Sequence, residues 1–405
     1  MGREFASAAA RWCHLLDMPA RPEIVAVCDK NSSIFEWYRA NFPSVQQYTD
    51  DYRQLLANPE VDAVYCAVPH NLHEEIYCAI IESGKHLMGE KPFGIDLKAN
   101  EAILAAIRKT PAAFVRCSSE FPFFPAVQRI ASMIENNSFG QIIEVNAAFL
   151  HSSDLDPNKP LNWKRMIEFN GEYGVMGDLG LHVCHVPFRA GWIPKNVFAF
   201  LSNIVKERPN GKGGMAKCET WDNATLLCET IDPKNNEMFP MTLKMQRIAP
   251  GEKNTWRLEI LGTKASARFS TKNPKLLEIM EYHGGPPAAL RAAMWAGIPA
   301  DRTVATERAG HPSDSVTNHS GEQVWQQIDM GYEPAFKTIT GNIFEFGFTD
   351  AILQMWAAFV YELTEGKPFV RFAGCVTPEE TALSHRLFTA ALESQANKSV
   401  VRIKN

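Results

Sequence analysis

The chain has 405 residues, 45% of them hydrophobic and 21% charged, the balance of a soluble globular protein long enough for two domains. Its net charge of -5 argues against a nucleic-acid binder, which needs a concentrated basic face. No apolar run approaches the roughly 18 residues of a membrane span; the longest, Ala351 to Leu363, is broken by Gln354 and carries Glu362.

Met1 to Leu16 predicts a helix with Phe5, Ala8, Ala9, Trp12 and Leu15 on one face. The polar start shows no signal peptide, and nine scattered cysteines with no C-x-x-C pair suit a reducing cytoplasm. Glu23 to Cys28 predicts a buried strand ended by Asp29, and Ile34 to Asn41 a helix. Thr49-Asp50-Asp51 predicts the cap of a short helix through Leu56. Val61 to Val68 predicts a second strand, closed by Pro69, and Leu72 to Ser83 a helix stopped by Gly84. Lys85 to Met88 predicts a third strand, Leu97 to Lys109 a helix, and Ala113 to Cys117 a fourth strand. Strands and helices alternating at this spacing mean an α/β fold with a parallel sheet. Such a sheet opens with a strand and a glycine-rich turn. Met1-Gly2-Arg3 reads as the tail of a G-x-G-x-x-G turn, with the first strand and first two glycines expected upstream.

The character changes after Pro122-Phe123-Phe124-Pro125. A helix from Ala126 to Asn136 leads to a strand from Ile142 to Phe149. Further strands are expected at Val197 to Asn203, Asp222 to Glu229, Met241 to Gln246, Arg257 to Leu261, Ala265 to Ser270 and Leu276 to Tyr282. Their hairpin-like spacing predicts a mostly antiparallel sheet, one face of it covered by helices or another subunit. Gly284 to Gln327 reads as a long loop with one helix near Ala288 to Ala296. Ile343 to Glu365 and Thr377 to Ala396 predict long helices, and Ser399 to Ile403 a last strand. The expected domains are residues 1–122, 123–375, and a C-terminal piece, 376–405, packing back on the body.

Lys91 follows the third strand, at the strand end where parallel sheets place their ligands. Pro92 directs Lys91 towards extended backbone, and partial desolvation is expected to lower its pKa enough for it to move protons. Asp29, after the first strand, fits either a turn or a carboxylate that holds the ribose hydroxyls of an adenosine. Its charge would repel a 2′-phosphate, so NAD is favoured over NADP, though Lys30 and Lys98 weaken the argument. Asp178 and His182 are four residues apart and share a helix face. They fit a helix cap with a buried histidine, or a carboxylate and imidazole that orient and deprotonate a hydroxyl. His185 lies one residue off that face, at the pocket edge. His182, Cys184 and His185 would not converge on either a helix or a strand, so no metal is expected. Trp163-Lys164 fits a sugar-binding wall or an exposed turn.

Several stretches together resemble the glucose–fructose oxidoreductase / inositol dehydrogenase / MocA (Gfo/Idh/MocA) family. Thr49-Asp50-Asp51-Tyr52, with Asn58-Pro59-Glu60-Val61-Asp62-Ala63-Val64, resembles its second βα segment. Pro69-His70-Asn71-Leu72-His73 is similar to its T-P-N-x-x-H stretch, and Gly84-Lys85-His86-Leu87-Met88-Gly89-Glu90-Lys91-Pro92 to its G-K-H-V-x-x-E-K-P signature. Asp178-Leu179-Gly180-Leu181-His182 resembles its D-x-G-x-H helix, and Gly262-Thr263-Lys264-Ala265 its G-T-x-G hairpin. The resemblance implies a Rossmann domain followed by an α/β domain with a large open sheet, through which two or four copies associate. It implies hydride transfer between NAD and a carbinol carbon of a sugar, anhydrosugar, glycoside or cyclic polyol. Lys91, Asp178 and His182 would then handle the hydroxyl proton, with Trp163, Lys164 and His185 also around the substrate. Gly2 and Arg3 would take the pyrophosphate turn, Asp29 and Lys30 the adenosine ribose, and Pro69, His70, His73, Glu90 and Lys91 the nicotinamide half.

Two departures bear on the substrate. Gly171-Glu172-Tyr173-Gly174 stands where relatives often have a glycine triplet. His185 replaces the acid that many polyol dehydrogenases of the family carry three residues after the histidine, which argues against inositol itself. The competing readings are an NAD-dependent glycoside hydrolase that recycles its cofactor, and a non-catalytic dinucleotide-binding regulator.

Overall fold

The alternating signals of the first third fold into short parallel ladders. The computed structural model describes residues 1–282 and 323–404, so the helix expected near Ala288 to Ala296 lies outside the described residues. Strand β1 (Ala26–Cys28) pairs in parallel with β2 (Gln47–Thr49), a strand too short and polar to show in the sequence. Strands β3 (Ala63–Cys66), β4 (His86–Gly89) and β5 (Val115–Cys117) form a second parallel ladder in that order. Helix α1 (Gly2–Ala10) precedes β1, and helices α2 (Phe35–Asn41), α3 (Tyr52–Leu56), α4 (His73–Glu82) and α5 (Leu97–Lys109) run between the strands. Two carboxylates set helix starts: Asp51 accepts from Arg53 N–H at 3.0 Å, and Asp96 from Ala99 N–H at 2.8 Å. Helix α1 is shorter than expected and tightens into a 3₁₀ turn at Arg11–His14. There the chain leaves the helix, and Leu16 N–H donates to the Lys337 carbonyl at 2.9 Å.

The second half builds one large sheet. Its strands are β6 (Ile142–His151), β7 (Pro194–Ser202), β10 (Asn223–Ile231), β11 (Met238–Gln246), β12 (Asn254–Gly262), β13 (Ala265–Ser270), β14 (Leu276–Glu281), β15 (Gln326–Asp329) and β16 (Val401–Arg402). A small separate hairpin joins β8 (Glu207–Pro209) to β9 (Met215–Lys217). The order across the large sheet is β15-β14-β13-β12-β6-β11-β10-β7-β16 among the described residues. Every pairing in it is antiparallel except β6 with β11. The remaining helices among the described residues are α6 (Pro125–Glu135), α7 (Ile167–Asn170), α8 (Val175–Arg189), α9 (Phe348–Glu365) and α10 (Pro378–Asn397). Helix α9 starts later than the expected Ile343, because the Asp350 carboxylate accepts from Gly347 N–H at 2.9 Å and stops the helix from extending backwards.

Strict alternation along the strands decides which face is covered. Val197, Ala199, Leu201, Leu226, Met241, Leu243 and Leu258 point to the inner face and are buried with α8 and α10 in one core. Each such aliphatic side chain contributes about 1.5–3 kcal/mol. The opposite face leaves Ile143, Phe198, Phe200 and Leu227 exposed. Helix α8 is buried from Val175 to Phe188. It begins at Gly174, where φ is +55° and a Cβ would lie 2.7 Å from Trp221 N, so only glycine fits.

Helix α10 fastens this half to the first. Asn100 Nδ2 donates to the Phe93 carbonyl and to Thr381 Oγ1, both at 2.9 Å. His385 Nε2 donates to the Pro92 carbonyl at 2.8 Å. The segment that carries Lys91 is therefore held from the C-terminal helix. Among the described residues, no helix is long and apolar enough to cross a membrane.

Candidate active site

Lys91 leaves the carboxyl end of β4 with its backbone already clamped. The Tyr77 hydroxyl donates to the Glu90 carbonyl at 2.9 Å. Lys91 Nζ donates to the Asp178 carbonyl at 2.5 Å and to Asp178 Oδ1 at 3.0 Å. Burial pushes the Lys91 pKa down, as the sequence suggested, but the Asp178 and Glu90 carboxylates outweigh it and the net shift is upward. Lys91 is thus a firmly held ammonium, the reverse of the expected drop.

Asp178 sits in the first turn of α8 and collects cations. Its Oδ1 accepts from both Lys91 and Lys164, the latter at 2.9 Å, and its Oδ2 from Arg247. Burial alone would raise its pKa, but Arg247, Lys164 and Lys91 hold it well below the usual carboxylate range. Lys164 is lowered, by burial first and then by Arg247 and Lys91, with Asp178 opposing. Arg247 also lies 3.6 Å from Asp154, which takes Lys159 at 3.1 Å.

His182 lies one helical turn beyond Asp178. Its ring stands edge-on to Phe121 at 5.2 Å and Phe149 at 5.5 Å. The Trp256 indole N–H donates to the His182 carbonyl at 2.9 Å. Ring Nδ1 is 3.2 Å from Ser119 Oγ and 3.8 Å from Glu120 Oε2, while Nε2 has no partner among the described residues. Burial, with Lys91 adding to it, holds this imidazole well below its ordinary pKa, so it is neutral at pH 7.

Trp163, Lys164 and His70 form one wall beside this group. His70 stands edge-on to Trp163 at 5.0 Å, and the Lys164 ammonium lies 5.6 Å from the Trp163 ring centre. His73 is placed differently. Its Nδ1 accepts from Gly94 N–H at 3.3 Å, so Nε2–H donates to the Val68 carbonyl at 3.2 Å. Burial holds it at about 3, and it braces the backbone. Pro69 precedes the 3₁₀ turn His70–Leu72 between the two histidines' elements. His185 is fully buried in α8 with neither ring nitrogen bonded, away from any open edge. At the far end, Gly2 approaches the Tyr38 hydroxyl, and the charges of Asp29 and Arg3 both act on that hydroxyl. Lys30 is exposed beside Asp29.

Four residues escaped the sequence reading: Arg247, Ser119, Glu120 and Tyr65. Tyr65 OH donates to Glu90 Oε1 at 2.6 Å. Glu120 is buried, and burial together with the neighbouring Glu90 pushes its pKa up to about 7. Ser119-Glu120 carried a legible signal, because they follow β5 as Lys91 follows β4. Arg247 had none: it lies just past β11, and its partner is distant in the chain.

Residues 1–116 match the family described as "Oxidoreductase family, NAD-binding Rossmann fold", and residues 127–268 match the "GFO/IDH/MocA C-terminal domain". The two matches together span more than half of the chain. The chain belongs to the Gfo/Idh/MocA oxidoreductase family. A levoglucosan dehydrogenase from Pseudarthrobacter phenanthrenivorans is 26% identical over 269 residues, covering 64% of this chain and 68% of its own. A D-xylose 1-dehydrogenase (NADP(+)) from Hypocrea jecorina is 24% identical over 275 residues, 65% of this chain and 68% of its own. The solved structure titled "Levoglucosan dehydrogenase, complex with NADH and L-sorbose" superposes with a TM-score of 0.78 at 22% identity, covering 100% of this chain and 96% of that one. That likeness is one of fold.

The NAD-binding domain of the Gfo/Idh/MocA family has a carboxylate available here. Asp29 ends β1 and accepts from Asn31 N–H through Oδ1 at 2.7 Å. Its other oxygen has no partner among the described residues, which fits a ribose diol.

Proposed function

We propose that this chain is an NAD-dependent dehydrogenase of a sugar, anhydrosugar, glycoside or cyclic polyol, oxidising a carbinol carbon. One observation carries the reading: the Lys91 ammonium and the neutral His182 imidazole are held by one buried helix, at the carboxyl end of a parallel ladder. NAD, when bound, supplies the hydride acceptor, and Asp29, Gly2 and Arg3 would hold its adenosine and pyrophosphate parts. Lys91 donates to the reacting oxygen and stabilises the negative charge that grows there. His182 accepts the hydroxyl proton, and this step is worth roughly 10²–10⁴-fold. Asp178 orients Lys91 and Lys164, since both of its oxygens are engaged by cations. Trp163, Lys164 and His70 form the wall for the sugar ring. The carbohydrate relatives support the substrate class, and the Asp29 charge supports NAD over NADP. The exposed apolar face around Phe198 and Phe200 supports a homodimer or homotetramer through the open sheet.

The test is absorbance of reduced nicotinamide with NAD and a panel of sugars, anhydrosugars, glycosides and inositols. Steady NADH formation with one class is the expected result. Aglycone release that depends on catalytic NAD, without net NADH, would replace the reading with the glycoside hydrolase. Bound NAD with no turnover would leave the regulator.

A further inference from the structure

His182 has a second side, and its chemistry is unusual. Nδ1 meets Ser119 Oγ at 3.2 Å and Glu120 Oε2 at 3.8 Å. Glu120 and His182 are both buried, so no bulk water takes over this role. The other ring nitrogen, Nε2, is without a partner among the described residues. The ring therefore has one nitrogen without a partner among the described residues and the other beside a buried carboxyl group.

We propose that Glu120 is a positioning residue that receives, through His182, the proton taken from the substrate hydroxyl; this rests on the dehydrogenase reading of the site. In the oxidising direction the carbinol O–H bond breaks and a bond from that proton to His182 Nε2 forms. The carbon–hydrogen pair leaves as hydride to NAD⁺, so the carbinol carbon is oxidised and the nicotinamide reduced. The imidazolium then loses its Nδ1 proton to the Glu120 carboxylate as the 3.8 Å separation closes to hydrogen-bond distance, and returns to neutral imidazole. Glu120 ends as the uncharged acid and, once product has left, returns the proton through His182 Nε2 to water in the vacated substrate site. In reduction every transfer runs backwards.

The surroundings suit a carboxyl group that changes protonation near neutrality. Glu90, held by the Tyr65 hydroxyl, faces Glu120 and with burial moves its pKa up to about 7, while Lys91 opposes. Besides Glu120, the charged and titratable groups around His182 are Lys91, Asp178, His185 and His151; burial first, then Lys91, His185 and His151, leave the ring less basic than an ordinary imidazole, with Asp178 opposing. A proton placed on His182 therefore finds a better site on Glu120.

The experiment is ¹⁵N-histidine NMR of the protein without cofactor, wild type against Glu120→Gln, from pH 5 to 9, followed by pH profiles of sugar oxidation. The His182 Nδ1 resonance of the wild type is expected to move with a midpoint near the Glu120 value of about 7 and to stay flat in Glu120→Gln. Oxidation by Glu120→Gln should fall roughly 10²-fold in kcat/KM, with the acid limb near neutrality gone and the NAD dissociation constant unchanged. Glu120→Asp should restore the limb and part of the rate, and it also serves if Glu120→Gln does not fold. A flat wild-type resonance, or an acid limb that survives in Glu120→Gln, would overturn the proposal. If no sugar is oxidised by the wild type, the function reading fails while the NMR titration still decides whether Glu120 and His182 are coupled.

Discussion

Asp178 and Arg247 form a buried ion pair between the first turn of α8 and the end of β11, with side chains only 3% and 5% exposed. Asp178 also holds Lys91 and Lys164, so its carboxylate is fully occupied before any substrate arrives. Asp178 is therefore an organiser of cations, and in the proposed function the proton chemistry falls to the neutral His182.

Removing one partner of a buried pair leaves a charge that water cannot solvate. Arg247→Met should destabilise the protein by about 3–5 kcal/mol, and Asp178→Asn in the same background should cost more still, because Lys91 and Lys164 then lose their shared carboxylate. Urea unfolding of the single and double variants measures both values.

Lys91→Ala and His182→Ala should each lower sugar oxidation roughly 10²–10⁴-fold. Calorimetric titration with NAD should show nearly unchanged affinity. Loss of NAD binding in either variant would make that residue structural.

Asp29→Ala should weaken NAD roughly 10–100-fold, the value of a hydrogen bond to a charged group. It should also narrow the preference for NAD over NADP, because the charge that repels a 2′-phosphate is gone. The ratio of kcat/KM for the two cofactors reads this directly.

The buried histidines set the acid side of the stability curve. Burial holds His73 at about 3 and His385 at about 4, against an ordinary 6.5. Between those values the unfolded chain binds more protons than the folded one, so stability falls as the pH drops below about 6.5. Each such histidine contributes a slope of up to roughly 1.4 kcal/mol per pH unit. Glu120 acts in the opposite sense: its folded value of about 7 lies above the ordinary 4.5, so its contribution is present below 4.5 and lost as the pH rises through 7. Urea midpoints from pH 5 to 8 should show a steep acid flank, and Glu120→Gln should be more stable relative to wild type at pH 8 than at pH 5.

Gly180→Ala should destabilise by about 1–3 kcal/mol through overpacking, since the added Cβ would collide with the buried Phe388 ring. Thermal unfolding checks this, and Phe388→Leu should relieve part of the effect.

Much of the fold is legible because its signals are local. The apolar runs around Val64 and Leu87, the capping aspartates at 51 and 96, and the alternation along β6 and β10 each act over a few residues. Where the reading slipped, something distant intervened. Leu16 bonding to Lys337 ended the first helix early, and β2 is a strand only because β1 lies beside it.

The site divides in the same way. The chain alone places Lys91 at a strand end and puts Asp178 and His182 on one helix face, because strand ends and helical spacing are local properties. It also carries the signature stretches by which the chain resembles its family. Only the tertiary structure brings Asp178 against Lys91, Lys164 and Arg247, and so turns Lys91 into a held ammonium instead of a depressed amine. Only it sets Glu120 behind His182, because β5 and α8 meet through packing that no local pattern encodes. Ionisation depends on burial and on charges a few ångströms away, and both are properties of the folded whole.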